Sequence, residues 1–337
     1  MHALQRTRAA VCGQRVDRLP WFPILIAPAC ELTGVKQGEY SRDPEAMADT
    51  LIRARELIGA DGVYVSRDNW VAYEALGGAM TFAEDDEPNC AGPLLACIGD
   101  FRKLTVPDPE SAPGMRTVLA AARKVVAAVG RDYYVQANID CGPFSVAAIL
   151  RGTQAFMLDL VTEDERELQG FLEFCTEVVI AYGKAMNATG VHGVQYGDST
   201  ASLVSPEHYR TFALPYQEKS LRAMANPNVD LWVHICGDSR HILHFLRDLD
   251  FQGFEVDAKV DLRDARQRVG DKALKGNLDT TFLLRESEGA VYEATLDMLR
   301  KSGLKTGLVV SPGCGVARLT PLENLRAMHR ACEDYRC

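Results

Sequence analysis

Short apolar runs recur along the chain, separated by amphipathic stretches. Runs at residues 21–26, 62–66, 133–138, 191–196, 231–235, 251–256, 273–276 and 308–311 are short and rich in β-branched or aromatic residues, which predicts eight strands. Between them the period lengthens. In 44–58, Met47, Leu51, Ala54 and Ile58 recur at helical spacing. Thr320-Pro321-Leu322-Glu323 and Thr162-Glu163-Asp164-Glu165 read as capping boxes, and Ser205-Pro206 as a third helix start. Strands alternating with helices predict an α/β fold, a (β/α)8 TIM barrel with an N-terminal extension. At 337 residues, one barrel domain over 1–337 accounts for the whole chain. The stretch 142–190 predicts a crossover with two helices. Residues 75–110, rich in Gly, Pro and acids, predict a loop or hairpin inserted over the barrel mouth.

Polar residues gather where these runs end: Asp68-Asn69, Asp140, Asp198, His234 and Cys236, Asp257, Asn277 and Asp279, and Cys314. In such barrels the C-terminal strand ends form the active face. Asp198 and Asp279 have an alternative reading as helix caps. His234-Ile235-Cys236-Gly237 and Pro312-Gly313-Cys314-Gly315 each follow an apolar run. One imidazole and two thiols suit Zn²⁺, and three protein ligands leave a position for chemistry. Such a metal holds a substrate thiol as thiolate near neutral pH. Singly, each of the three reads as a buried thiol or core histidine; together they read as ligands.

Composition narrows the field. A formal net charge of -9 without a Lys/Arg block argues against nucleic-acid partners. No apolar run reaches the roughly 18 residues of a membrane span, and the first residues lack a signal-peptide core, so a cytoplasmic location is expected. The ten cysteines are scattered, without a Cys-x-x-Cys pair, and are expected to be free thiols.

Further motifs give the chain a family likeness. They are Val16-Asp17-Arg18-Leu19-Pro20, Glu74-Ala75-Leu76-Gly77, Asp198 with Leu203-Val204-Ser205-Pro206 and Pro215-Tyr216, Gly276-Asn277-Leu278-Asp279, and Thr320-Pro321-Leu322-Glu323-Asn324. With these the sequence resembles the uroporphyrinogen decarboxylase superfamily, and within it the zinc-dependent corrinoid methyltransferases. The resemblance implies His234, Cys236 and Cys314 as zinc ligands. It implies a carboxylate on the next strand as fourth ligand, where Asp257, nearer the strand end, is favoured over Glu255. Asp68 matches the decarboxylases' catalytic aspartate, yet residues 21–30 lack the arginines with which those enzymes grip propionates. Asp198, Tyr196 and Asn277 are expected to line the pocket, Asp68 to hydrogen-bond substrate or corrinoid, and Glu255 to contact substrate if it is not a ligand.

The implied activity is methyl transfer between a corrinoid and a thiol acceptor such as coenzyme M. The alternatives are a corrinoid-linked demethylase, a uroporphyrinogen decarboxylase, and a non-catalytic zinc-stabilised binding barrel. The chain shows no Asp-x-His-x-x-Gly cobalamin signature. The corrinoid is therefore expected on a separate partner protein.

Overall fold

The computed structural model describes residues 1–335. Seven parallel strands follow one another around a single sheet in chain order: β1 (Gly62–Val65), β2 (Tyr134–Cys141), β3 (Gly193–Gly197), β4 (Asp230–Ile235), β5 (Gly253–Val256), β6 (Ala273–Leu278) and β7 (Leu308–Pro312). Helices fill the crossovers, as parallel strands require. The expected first strand is reduced to a stitch. Trp21 alone bridges Val310. Phe22 N donates to Val310 O at 2.9 Å, Val310 N to Pro20 O at 2.8 Å, and Asp61 N, just before β1, to Trp21 O at 2.7 Å. This segment joins β7 to the start of β1. It goes no further as a strand because Pro20 and Pro23 have no N–H to give, and the helix Ala27–Thr33 begins directly after it.

The N-terminal extension is locked to that stitch. Arg6 and Arg18 both grip the buried Asp61 carboxylate, at 2.6 and 2.7 Å, and Asp61 also accepts from Trp21 N. The Asp17-Arg18 pair of the family-like motif thus ties the helix Ala3–Val11 to the barrel, with Asp17 taking Arg6 Nε at 2.7 Å. Trp232 fills the barrel interior; a Cβ at Gly253 would overlap its indole, and one at Gly193 would overlap the Tyr134 hydroxyl and press on the indole. Those two strand glycines make room for one large core side chain.

The crossover after β2 contains three helices rather than two: Pro143–Arg151, Thr153–Thr162 and Glu165–Asn187. Thr162 ends the second of these, and Asp164 caps the third by accepting from Arg166 N. Ser205 caps its helix as expected, whereas Thr320 does not: Pro321 is the cap residue of Leu322–Asp334. The inserted segment after β1 forms a two-stranded hairpin, Met80–Thr81 with Asn89–Cys90. Its tip residues Asp86 and Glu87 hang over the cavity at the barrel mouth. Among the described residues, no single helix is long and apolar enough to cross a membrane.

Candidate active site

Parallel strands alternate their side chains between barrel interior and helix layer. On β4, Trp232 and His234 point inward, and the chain then turns at Gly237, whose φ of 84° suits glycine. His234 and Cys236 therefore meet at the strand end. Cys314 arrives from β7. A Cβ on Gly313 would overlap the backbone nitrogen of Ala258, so glycine is what lets this turn approach β5. His234 Nε2 lies 2.7 Å from Cys236 Sγ and 3.7 Å from Cys314 Sγ, and the two sulfurs are 3.2 Å apart. Among the described residues this is the group of His, Cys, Asp and Glu side chains able to hold a metal ion.

The electrostatics of the trio follow from this crowding. His234 Nδ1 lies 3.2 Å from the Glu255 carbonyl oxygen, which assigns it the proton and leaves the Nε2 lone pair facing the thiols. Burial opposes protonation of His234, but Cys314 and Glu255 outweigh it and raise its pKa. The contact with Cys314 lowers the pKa of Cys236, whereas Cys236 and burial push Cys314 up. The contact between the two thiols thus favours ionisation of Cys236 over that of Cys314. A tetrahedral zinc, with bonds of about 2.0–2.1 Å to nitrogen and 2.3 Å to sulfur, wants its donors roughly 3.4–3.8 Å apart. A small outward turn of these side chains meets that spacing, so the donor set fits zinc in chemistry and in reach.

Beneath the trio lies a layer of buried polar side chains. Glu255 accepts from Gln136 Nε2 at 3.0 Å, Lys275 Nζ at 2.9 Å and Gln195 Nε2 at 3.1 Å. Lys275 also donates to Gln136 Oε1 at 2.8 Å, and Tyr64 Oη to Gln195 Oε1 at 2.8 Å. Above it opens a cavity of about 500 Å³. Its lining includes the trio, Tyr64, Gln195, Asn138, Asp140 and the apolar Ile24, Ile26 and Val316.

Other expected site residues take different places. Asp257 stands outside the metal-holding group, because its two oxygens accept from Gly237 N and Lys259 N, both at 2.8 Å. It clamps the turn after β4 to the end of β5. Glu255 is 2% exposed and belongs to the layer beneath, not to the cavity lining. Tyr196 points into the helix layer, with its hydroxyl 3.5 Å from Ser220 Oγ, and its neighbour Gln195 faces the cavity. Asp198 is fully buried and holds Ser145 N at 2.7 Å and Gln217 Nε2 at 2.8 Å. Asn277 spends its amide on the carbonyls of Asp257 and Val260. Asp68 pairs with Arg67 at 2.5 Å and accepts from Trp70 N, behind the cavity wall. Asp279 caps Thr280–Arg285 by accepting from Phe282 N. Sequence reasoning missed Gln136, Gln195 and Lys275. Their signal was a polar side chain at an inward position of an apolar run.

The uroporphyrinogen decarboxylase (URO-D) family profile matches residues 2–335. The chain belongs to this family. A solved methyltransferase from Methanosarcina mazei shares the fold with a TM-score of 0.89 at 27% identity, covering 99% of both chains. The methylated-thiol--coenzyme M methyltransferase of Methanosarcina mazei is 29% identical over 340 residues, 99% of this chain and 90% of the relative. Methylcobamide:CoM methyltransferase MtbA of Methanosarcina acetivorans is 29% identical over 341 residues, 98% of each.

Proposed function

We propose that this URO-D family member is a methyltransferase that moves a methyl group between a corrinoid presented by a separate protein and a small thiol acceptor. The observation that carries this is the convergence of one imidazole nitrogen and two thiol sulfurs on the floor of a cavity at the C-terminal strand ends. His234, Cys236 and Cys314 would hold zinc, which supplies the Lewis acidity that keeps an incoming thiol as thiolate near neutral pH. Full-length relatives named as coenzyme M methyltransferases support the same chemistry.

The chain's own residues do the rest. The Glu255 carbonyl fixes the His234 tautomer, and the Asp257 clamp fixes the Cys236 turn against β5. Ile24, Ile26 and Val316 give the cavity an apolar side that limits water around the reacting sulfur. In the transfer the S–CH3 bond forms as the Co–CH3 bond breaks, with its electron pair left on cobalt, and the thiol proton goes to solvent. Decarboxylation of a substrate with many carboxylates is disfavoured by the lining. Its one guanidinium, Arg318, is already paired to Glu31 at 2.6 Å.

Metal content with and without a thiol tests this. Purified protein should hold about one zinc per chain. His234→Ala and Cys314→Ser should lose the metal and, with it, methyl transfer from methylcob(III)alamin to thiol. Undiminished transfer by metal-free protein would overturn the assignment.

A further inference from the structure

We propose that the small ligand of this cavity carries a positive charge that seats against Asp140, and not an anionic tail such as a sulfonate. The proposal rests on the thiol-acceptor reading of the same site and names the class of thiol. Asp140 lies near the end of β2 and lines the cavity, yet it is only 2% exposed. Its Oδ2 accepts from Ala72 N at 2.7 Å. Its Oδ1 is buried with no hydrogen-bond partner among the described residues. A buried acceptor without a donor is costly, and a native protein that keeps one has a use for it. Asp140 is also the one non-glycine residue at positive φ, 73°, among the described residues. Such a backbone persists where the surroundings over-determine it, typically at ligand clamps.

The charges around the cavity agree. Asp86, Glu87 and Asp140 line it, against Arg318 as the one Lys or Arg, and Glu31 already neutralises Arg318. Behind the walls Arg67 pairs with Asp68 and Glu74 while its Nη2 is left without a partner among the described residues, and Lys275 pairs with Glu255. An anionic tail would meet uncompensated carboxylates, whereas a cation would supply the missing partner of Oδ1. Burial pushes the Asp140 carboxyl up to about 7, outweighing the opposing pull of Ala72 N, the Cys141 thiol and the Arg67 charge.

Three thiols of one shape, HS–CH2–CH2–X, separate the cases: cysteamine (ammonium), 2-mercaptoethanol (neutral) and 2-mercaptoethanesulfonate (anion). With methylcob(III)alamin as methyl donor and zinc-loaded protein, kcat/KM should fall in that order, with about tenfold or more between the ends. Asp140→Asn keeps the shape and tolerates positive φ. It should raise KM for cysteamine about tenfold while leaving 2-mercaptoethanol within about twofold. The intrinsic reactivities of the three thiols cancel when variant and wild type are compared. Ethanolamine and 2-hydroxyethanesulfonate, which lack the thiol, read charge alone: the first should raise Tm of the wild type and not of Asp140→Asn, and the second should raise neither. Preference for the sulfonate, or a cysteamine advantage unchanged in Asp140→Asn, overturns the proposal. If none of the three thiols is methylated, the thiol-acceptor reading fails, and the Tm order of the two thiol-free probes still decides the charge preference.

Discussion

Two layers of the barrel interior, one above the other, follow opposite rules. In the lower layer every polar side chain is matched: Glu255, Lys275, Gln136, Gln195 and Tyr64 form one closed hydrogen-bonded set. In the upper layer the groups are mismatched. Two thiols and an imidazole nitrogen converge within reach of one another, and Asp140 leaves an oxygen without a donor among the described residues. A satisfied buried network rigidifies; an unsatisfied one marks where something else is meant to sit. The lower layer is therefore scaffold, and the upper layer is a site whose chemistry is completed by what it binds.

The largest effect that tests this contrast belongs to the scaffold. Glu255→Gln leaves the Lys275 ammonium, 1% exposed, without its counter-charge. Removing one partner of a buried pair should destabilise the fold by about 3–5 kcal/mol. Urea unfolding measures it, and the double variant Glu255→Gln with Lys275→Met should recover most of the loss. A single variant as stable as wild type would show that the lower layer is not closed in the sense described.

The contrast also explains what the sequence revealed. His234, Cys236 and Cys314 stood out because imidazole and thiols at strand ends are chemically unusual, and the strand runs that position them are long enough to read. Tyr196 was misplaced by one residue, which in a strand exchanges the two faces; Gln195 was the inward neighbour. Asp257 and Asp68 sit at strand ends too, but Asp257 is taken by two loop backbone N–H groups and Asp68 by one such group and the Arg67 guanidinium, and loop paths have no periodic signal. The first strand shrank to a bridge because two prolines outweighed an apolar run. Asp140 was named as a strand-end residue, but its strained backbone and orphaned oxygen exist only in three dimensions.

A second test compares wild type with Asp140→Asn as pH changes, independently of any ligand. The folded pKa is raised to about 7 from an ordinary carboxylate value of 3.8. The protonated form is thus the one the fold prefers. Its contribution to stability is whole below about pH 4 and is lost as pH rises through 7. Asn is neutral at every pH and escapes that loss. The variant should therefore be more stable than wild type at pH 8, by on the order of 4 kcal/mol at most, and the gap should close toward pH 4. Denaturation curves at pH 4, 6 and 8 measure it. A gap independent of pH would mean that Asp140 is not a strained, desolvated acid, and would remove its place in the upper layer.

The smallest effect concerns the rim through which the upper layer is reached. Leu203 and Leu319 are 66% and 70% exposed. Lone exposed leucines are ordinary on protein surfaces. These two differ in position: Leu203 ends the turn Ser199–Leu203, whose Ser199 and Thr200 line the cavity, and Leu319 follows Arg318 on the opposite side of the sequence. Under the proposed function a corrinoid carried by another protein would be brought over this mouth, and apolar side chains beside it are suitable anchors for that protein. Leu203→Asp and Leu319→Asp should each raise KM for a methylated corrinoid protein by about tenfold, the worth of roughly one apolar anchor. Neither residue lines the cavity, so kcat/KM with free methylcob(III)alamin should stay within about twofold. Equal losses with both donors would place the leucines in the architecture of the site itself, and unchanged KM with both would mean that the partner approaches by another face. Only a loss confined to the protein-bound corrinoid fits a rim that docks a partner above a layer that does the chemistry.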